Sequence, residues 1–173
     1  AIMLSGESAM GKYPLEALKM MVKIAKETEM HLDHTQYRNR KVNRMDKKNI
    51  SNQVGYAAVS TADQLDAKAI IAPSISGFTT RMLSKWRSAI PVYGMSPSIT
   101  TIRQMQLQYG VVPVFAKRAA TTDELIESSI EILKKEKYVK SGDLVVVTAG
   151  IIPKKADRGP ARYTNTMQVE TVK

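Results

Sequence analysis

The chain has 173 residues, of which 43% are hydrophobic and none is cysteine. This length supports one core, or one domain plus a remnant of another, and the lack of cysteine excludes disulfides and thiolate metal sites. No apolar run approaches a membrane span and no signal peptide is recognisable, so we expect a soluble protein that makes no membrane contact. The formal net charge of +10 attracts anions in general without specifying which kind.

The first residues predict a β-strand followed by a glycine-containing turn. The apolar run Ala1 to Leu4 forms the strand, and Gly6 and Gly11 break it. Pro14 then opens a helix, because proline is suited to the first helical position. An independent domain does not normally begin inside a buried strand, so we expect the chain to be cut from a longer polypeptide.

The helix from Pro14 to about Leu32 carries one apolar stripe, which predicts packing against another element. After it, residues 35–48 are strongly basic and lack periodicity, which is typical of a solvated linker. No nucleic-acid-binding motif accompanies these charges, so nucleic-acid binding has charge alone in its favour and is not expected.

Beyond the basic segment, helices and strands alternate. Asn49 or Ser51 caps a helix that continues to Leu65. Thr121 and Glu124 form a capping box at the start of another helix. The predicted strands are 69–72, 91–93, 111–115 and 144–148, and the other predicted helices are 79–86 and 99–109.

These repeated units predict the α/β class, with an open, mostly parallel sheet flanked by helices. The unbroken apolar run at 144–148 indicates a strand that is buried on both faces. The alternating tail 166–172 predicts an edge strand, antiparallel to its neighbour.

The best candidate binding site is the loop that follows the strand 69–72 and leads into a helix. Main-chain N–H groups at a helix start, flanked by hydroxyls, suit a phosphate, and Gly77 permits close approach of the backbone. An ordinary capped turn explains the same composition equally well. The candidate residues are Ser74, Ile75, Ser76, Gly77, Phe78, Thr79, Thr80 and Arg81.

A second candidate is the basic loop 151–163, whose cations would clamp a bound phosphate. A surface loop with solvated charges is an equally good interpretation. The residues concerned are Lys154, Lys155, Arg158, Gly159 and Arg162. His31 and His34 are spaced for a metal pair but lack a nearby third ligand, so no metal site is expected.

The N-terminal string resembles the last strand, loop and helix of the pyruvate kinase catalytic barrel, which has the pattern Met-Leu-Ser-Gly-Glu-Ser/Thr-Ala-x-Gly-x-Tyr-Pro-x-Glu-Ala. The match begins at Met3 and ends at Ala17. The order of the later elements is similar to the C-terminal domain of that family. The resemblance implies a terminal βα unit of a TIM barrel at 1–34, a basic linker at 35–48 and a C-terminal α/β allosteric domain at 49–173.

The resemblance further implies a bacterial-type, cytoplasmic, homotetrameric enzyme of glycolysis. Such an enzyme transfers phosphoryl from phosphoenolpyruvate to ADP, giving pyruvate and ATP, with Mg2+ and K+ in the parent enzyme. Ser5 would line the substrate pocket, whereas the catalytic Lys and the metal-binding carboxylates lie upstream. The chain itself would bind a phosphorylated effector and assemble without catalysing. A free-standing sugar-phosphate-binding or anion-binding α/β module is the alternative.

By the same resemblance, the loop at Ser74 to Thr79 holds a phosphate of the activator. Phe78 departs from the family, because many relatives place Lys or Arg there. The Trp and Arg that fructose-bisphosphate-regulated enzymes place downstream are missing from 121–129. We therefore expect a monophosphate to bind better, relative to a bisphosphate, than in those enzymes.

Overall fold

The computed structural model describes residues 2–43, 45–46, 48–150 and 164–173. They form two compact units, 1–35 and 36–173. Among the described residues, no helix has both the length and the apolar character needed to cross a membrane.

The first unit is helical. Helix α1 is Gly6–Ala9 and helix α2 is Pro14–Met30, which begins at its proline as predicted. The predicted strand at residues 1–4 is wrong for residues 2–4, which are in neither a strand nor a helix. A strand needs a hydrogen-bonded neighbour, and the pairs of the sheet involve only residues 69–171.

The basic segment contains a helix instead of being irregular throughout. Helix α3 is His34–Val42, and its Arg38 side chain is only 5% exposed. Arg38 pairs with Asp63 of helix α4, which is Ile50–Gln64. A charged residue is buried only with a partner, and a basic run in sequence does not reveal one. The role of this segment as a linker between domains stays a prediction.

A five-stranded sheet organises the second unit. The strands are β1 Ala69–Pro73, β2 Val92–Ser96, β3 Val111–Phe115, β4 Leu144–Ala149 and β5 Thr166–Thr171. Their order in the sheet is β3-β2-β1-β4-β5, with β4 and β5 antiparallel and the other neighbours parallel. The predicted mostly parallel sheet with an antiparallel edge strand is confirmed.

Three further helices connect the strands. They are α5 Phe78–Ser84, α6 Ile99–Met105 and α7 Thr122–Lys135. The predicted caps are present: Asn49 accepts from the N–H of Asn52, and Thr121 accepts from the N–H of Glu124. Helix α6 is shorter than predicted: it ends at Met105, whereas the sequence predicts an end at Tyr109.

Alternate residues of the central strands enter two separate cores. Ile71 and Val147 pack with Leu133 of α7 on one face. Ile70 and Val146 pack on the other face against α4 and α5. The apolar run of β4 is therefore buried on both sides, as its sequence predicts.

Helices α5 and α6 approach β2 closely at Gly94. A Cβ atom added there would lie 2.7 Å from Cγ2 of Thr80 and 2.8 Å from Sδ of Met105. Glycine is therefore needed for the contact between these helices and the sheet.

Candidate functional site

The candidate binding loop lies where the order of the sheet changes direction. From β1 the chain passes through α5 to β2 on one side, and it later returns through α7 to β4 on the other side. The carboxyl ends of these parallel strands lie at one edge of the sheet. In open α/β sheets this switch point, outside the carboxyl ends, is where ligands bind. The order of the strands was not predicted from the sequence.

The loop is held in place by hydrogen bonds to β2 and within its own turn. The N–H of Ser74 donates to the carbonyl of Met95 in β2 at 2.8 Å. Gly77 precedes α5 with φ +71°, in the left-handed region that favours glycine. The Ser74 hydroxyl accepts from the N–H of Thr79, in the first turn of α5, at 3.4 Å.

Several polar groups of the loop remain available. Ser76 and Ile75 are exposed, and Ser74 is half-buried. No described residue accepts a hydrogen bond from the N–H groups of Ser76, Gly77 and Phe78. Unpaired N–H groups before and at a helix start are good donors to an anion.

The two threonine hydroxyls face inward. Thr80 is fully buried, and its hydroxyl donates to the carbonyl of Gly77 at 2.9 Å. The hydroxyl of Thr79 accepts from that of Thr164 at 2.9 Å. Within the predicted loop, these two side chains therefore stabilise the fold, and Ser74 and Ser76 carry the accessible hydroxyls.

Thr164 also fixes the start of the last strand region. Its carbonyl accepts from the buried hydroxyl of Ser51 in α4 at 3.0 Å. On the other side, β4 ends at Ala149 beside β1. Both described ends that flank 151–163 therefore lie near the candidate loop. The basic loop residues Lys154, Lys155, Arg158, Gly159 and Arg162 themselves lie outside the described part of the chain.

The sequence did not reveal two neighbours of the loop. Thr101 of α6 donates through its hydroxyl to the carbonyl of Ile75 at 2.8 Å. Gln108 lies so that its Nε2 would be 3.6 Å from a Cβ added at Gly77. Neither residue belongs to a local motif, because their positions depend on how α6 packs. Arg81, on the exposed side of α5, is the nearest cation in sequence.

Ser5 lies in the first unit, directly before α1, and is exposed. Its N–H donates to a carboxylate oxygen of Glu7 at 3.1 Å. Hydrogen bonds from the main-chain N–H groups of Glu7 and Ser5 lower the pKa of the Glu7 carboxyl. This hydrogen bond is local to the start of α1, and the relation of Ser5 to a substrate pocket stays a prediction.

No group of three or more His, Asp or Glu side chains suited to a metal ion occurs in the described ranges. His31 instead contacts Glu27, one helical turn away, with Nε2 and Oε1 3.2 Å apart and both side chains exposed. The Mg2+ that the resemblance implies for the parent enzyme stays a prediction.

The chain is similar to known proteins over nearly all of its length. The family described as pyruvate kinase, alpha/beta domain, matches residues 52–170. The pyruvate kinase of Sporosarcina psychrophila is 38% identical over 174 residues, and that of Clostridium acetobutylicum is 39% identical over 173. The enzyme of Geobacillus stearothermophilus is 35% identical over 172 residues.

Each of these matches covers 99% of this chain but only 28%, 35% and 28% of the respective relative. The chain therefore spans about a third of the length of the curated relatives it matches.

Proposed function

This chain belongs to the pyruvate kinase family through its alpha/beta domain, and from that premise we propose that it is the C-terminal regulatory and assembly region of a pyruvate kinase. The parent enzyme would transfer phosphoryl from phosphoenolpyruvate to ADP in glycolysis, in the cytoplasm. Mg2+ and K+ belong to that proposed parent. Relatives that match 99% of this chain and bear the enzyme's name support the proposal.

We propose that the region binds a phosphorylated effector at the loop Ser74 to Thr80. The observation that carries this is the loop's position at the switch point, with the N–H groups of Ser76, Gly77 and Phe78 unpaired among the described residues. The hydroxyls of Ser74 and Ser76 add further donors to a phosphate. Arg81 and the basic residues of 151–163 supply the charge.

The ligand is expected to carry one phosphate at this loop. Helix α7 begins with the acidic residues Asp123 and Glu124 in its first turn. No tryptophan or arginine occurs in 121–129. A second phosphate is therefore not attracted from that side in the manner of fructose-bisphosphate-regulated enzymes.

Calorimetric titration of the chain with glucose 6-phosphate and, separately, with fructose 1,6-bisphosphate tests the effector site. We expect saturable binding of the monophosphate, and we expect it to bind better, relative to the bisphosphate, than in fructose-bisphosphate-regulated enzymes. Binding of the monophosphate should be lost in Ser76→Glu, which places a like charge beside the phosphate. Ser141→Glu is the matched control, because Ser141 is an exposed serine in the turn before β4. Equal affinities in the wild type and in Ser76→Glu would remove the loop from the mechanism.

We also propose that the region assembles with copies of itself and that it does not catalyse alone. Strand β5 is an edge of the sheet, with Met167 37% and Val169 39% exposed. For catalysis, phosphoryl transfer requires several cationic groups and a metal around the phosphate, which Ser5 does not supply. A coupled assay at high protein concentration is expected to show no turnover. Turnover that EDTA abolishes would contradict this part of the proposal.

A further inference from the structure

A cavity lies away from the candidate loop, at the C-terminal end of α5. It has a volume of about 530 Å³, within the range of small-molecule sites. Its walls come from the segment around α3 and from the ends of α4 and α5. The lining residues are Tyr37, Arg40, Lys41, Met45, Asp46, Asn52, Lys85 and Trp86.

The cavity carries more positive than negative charge. Among the described lining residues, three are cations and only Asp46 is an anion. Arg40 donates to Gln36 at 2.8 Å, and no ion pair between a described carboxylate and any of the three cations is present. Asp46 instead accepts from the N–H of Lys48 at 3.0 Å.

The two lysines are held close together by neutral partners. Lys41 donates from Nζ to the carbonyl of Lys85 at 2.9 Å and to the hydroxyl of Tyr37 at 3.1 Å. Lys85 donates to the side-chain oxygen of Asn52, and its Nζ lies 5.0 Å from the centroid of the Trp86 ring. An ammonium group has three donors, so both lysines keep hydrogen-bonding capacity for a ligand.

The pKa of Lys85 agrees with this close arrangement of the two lysines. Burial and the nearby Lys41 charge lower the pKa of the Lys85 ammonium. Like charges without a counter-ion destabilise one another, and a bound anion would relieve that repulsion. Tyr37, Met45 and Trp86 provide apolar surface beside the cations.

We propose that this cavity is a second anion-binding site, which takes a small molecule that joins a phosphate group to a flat ring. The phosphate would bind between Lys41, Lys85 and Arg40, and the ring would contact Tyr37 and Met45. The size of the cavity favours such a molecule over a bare phosphate ion. This site is at the opposite end of α5 from the Ser74 to Thr80 loop, and it does not depend on effector binding there.

The cavity contains a built-in reporter, because Trp86 is the single tryptophan of the chain. Titration of the whole chain with phenyl phosphate is expected to change its tryptophan emission in a saturable way. Phenyl glucoside, which has the ring without the charge, and inorganic phosphate, which has the charge without the ring, should each bind at least about tenfold more weakly.

Two variants remove one cation each. Lys85→Met keeps the length of the stem, and Arg40→Gln changes an exposed side chain. Each is expected to weaken phenyl phosphate binding by about tenfold or more, because a charge-assisted hydrogen bond is lost. Lys140→Gln, at an exposed position in the turn before β4, lowers the net charge equally and should leave binding unchanged.

Three results would overturn the proposal. One is the absence of a saturable change in the wild type at millimolar phenyl phosphate. Another is equal weakening by Lys140→Gln and Arg40→Gln, which would mean that binding follows net charge only. The last is loss of phenyl phosphate binding in Ser76→Glu, which would move the ligand to the other end of α5. Retained binding in Ser76→Glu separates this site from the proposed effector loop.

Discussion

Thr79 and Thr164 are joined by a buried hydroxyl-to-hydroxyl hydrogen bond of 2.9 Å. It connects the first turn of α5 to the residues that precede β5. The candidate loop and the last strand are thus mechanically linked, although 85 positions separate the two residues.

Thr79→Val is expected to destabilise the chain by about 1–3 kcal/mol, because it leaves the Thr164 hydroxyl buried without this partner. The double variant Thr79→Val/Thr164→Val should cost less than the sum of the two single variants. Urea unfolding measures all three, with Thr100→Val as the control at an exposed threonine. Strict additivity would show that the two hydroxyls do not interact.

Asp63→Ala is expected to cost about 3–5 kcal/mol, since it leaves the buried Arg38 charge without its carboxylate. Replacing both residues, as Arg38→Met/Asp63→Leu, should recover much of that loss. Glu27→Ala breaks the exposed contact with His31 and should change stability by less than about 1 kcal/mol. Thermal unfolding compares the variants. Similar costs for Asp63→Ala and Glu27→Ala would mean that the Arg38 pair does not stabilise the helices.

Much of the fold follows from local patterns. The apolar run at 144–148 and the caps at Asn49 and Thr121 need no distant partner, so the sequence alone predicts them. The helix at the basic segment was missed because burial of Arg38 depends on Asp63, which is 25 positions away. The strand at residues 2–4 was wrong because an apolar run becomes a strand only beside another strand.

The candidate site also has features that the sequence predicts and features that it does not. The Ser-rich turn with Gly77 was recognisable as a helix start beside a strand. The inward direction of the Thr79 hydroxyl was not, because Thr164 decides it. No sequence pattern predicts the cavity around Lys85. Its lining residues are spread from 37 to 86 and come together only because α3 packs against α4 and α5.

Gly94→Ala is expected to destabilise the second unit by about 1–3 kcal/mol, because the new methyl group would overlap Thr80 and Met105. Adding Thr80→Ser removes the nearest atom, Cγ2, and keeps the hydroxyl, so it should restore part of the stability. Gly6→Ala is the control, because a Cβ there meets no atom within 4 Å. Urea midpoints decide the matter, and an unchanged midpoint for Gly94→Ala would contradict the close approach.

Tyr93 is expected to make stability fall at alkaline pH. Burial, with the nearby Tyr138, raises the pKa of its phenol above the ordinary value of 10.0. The folded chain then retains a proton that the unfolded chain loses, so the contribution of this group is full below pH 10 and is lost as pH rises through the raised pKa.

In Tyr93→Phe this alkaline loss should be smaller, as measured by the free energy of unfolding between pH 9 and pH 11. Tyr13→Phe, at an exposed tyrosine, is the matched control. Parallel pH profiles for the wild type and Tyr93→Phe would rule out the effect.

Self-association is expected to involve the β5 edge. Val169→Lys should shift the sedimentation equilibrium towards the monomer, because the charge must be desolvated when a second copy covers the strand. Leu107→Lys makes the same change at an apolar side chain that is 81% exposed outside the sheet, and it should have no effect. A wild type that stays monomeric at high concentration would exclude assembly through this chain alone.

The order of the strands also determines how the chain must fold. Strand β1 is joined to β2 through α5. Its other neighbour, β4, comes much later in the sequence, and there Val147 pairs with Ile71. Non-local pairing of this kind slows folding, because a long loop must close before the contact is gained. Until β4 arrives, β1, all of whose residues are buried in the folded chain, keeps one edge open to other chains. Aggregation during refolding should therefore depend on protein concentration, and changes that speed the docking of β4 should suppress it.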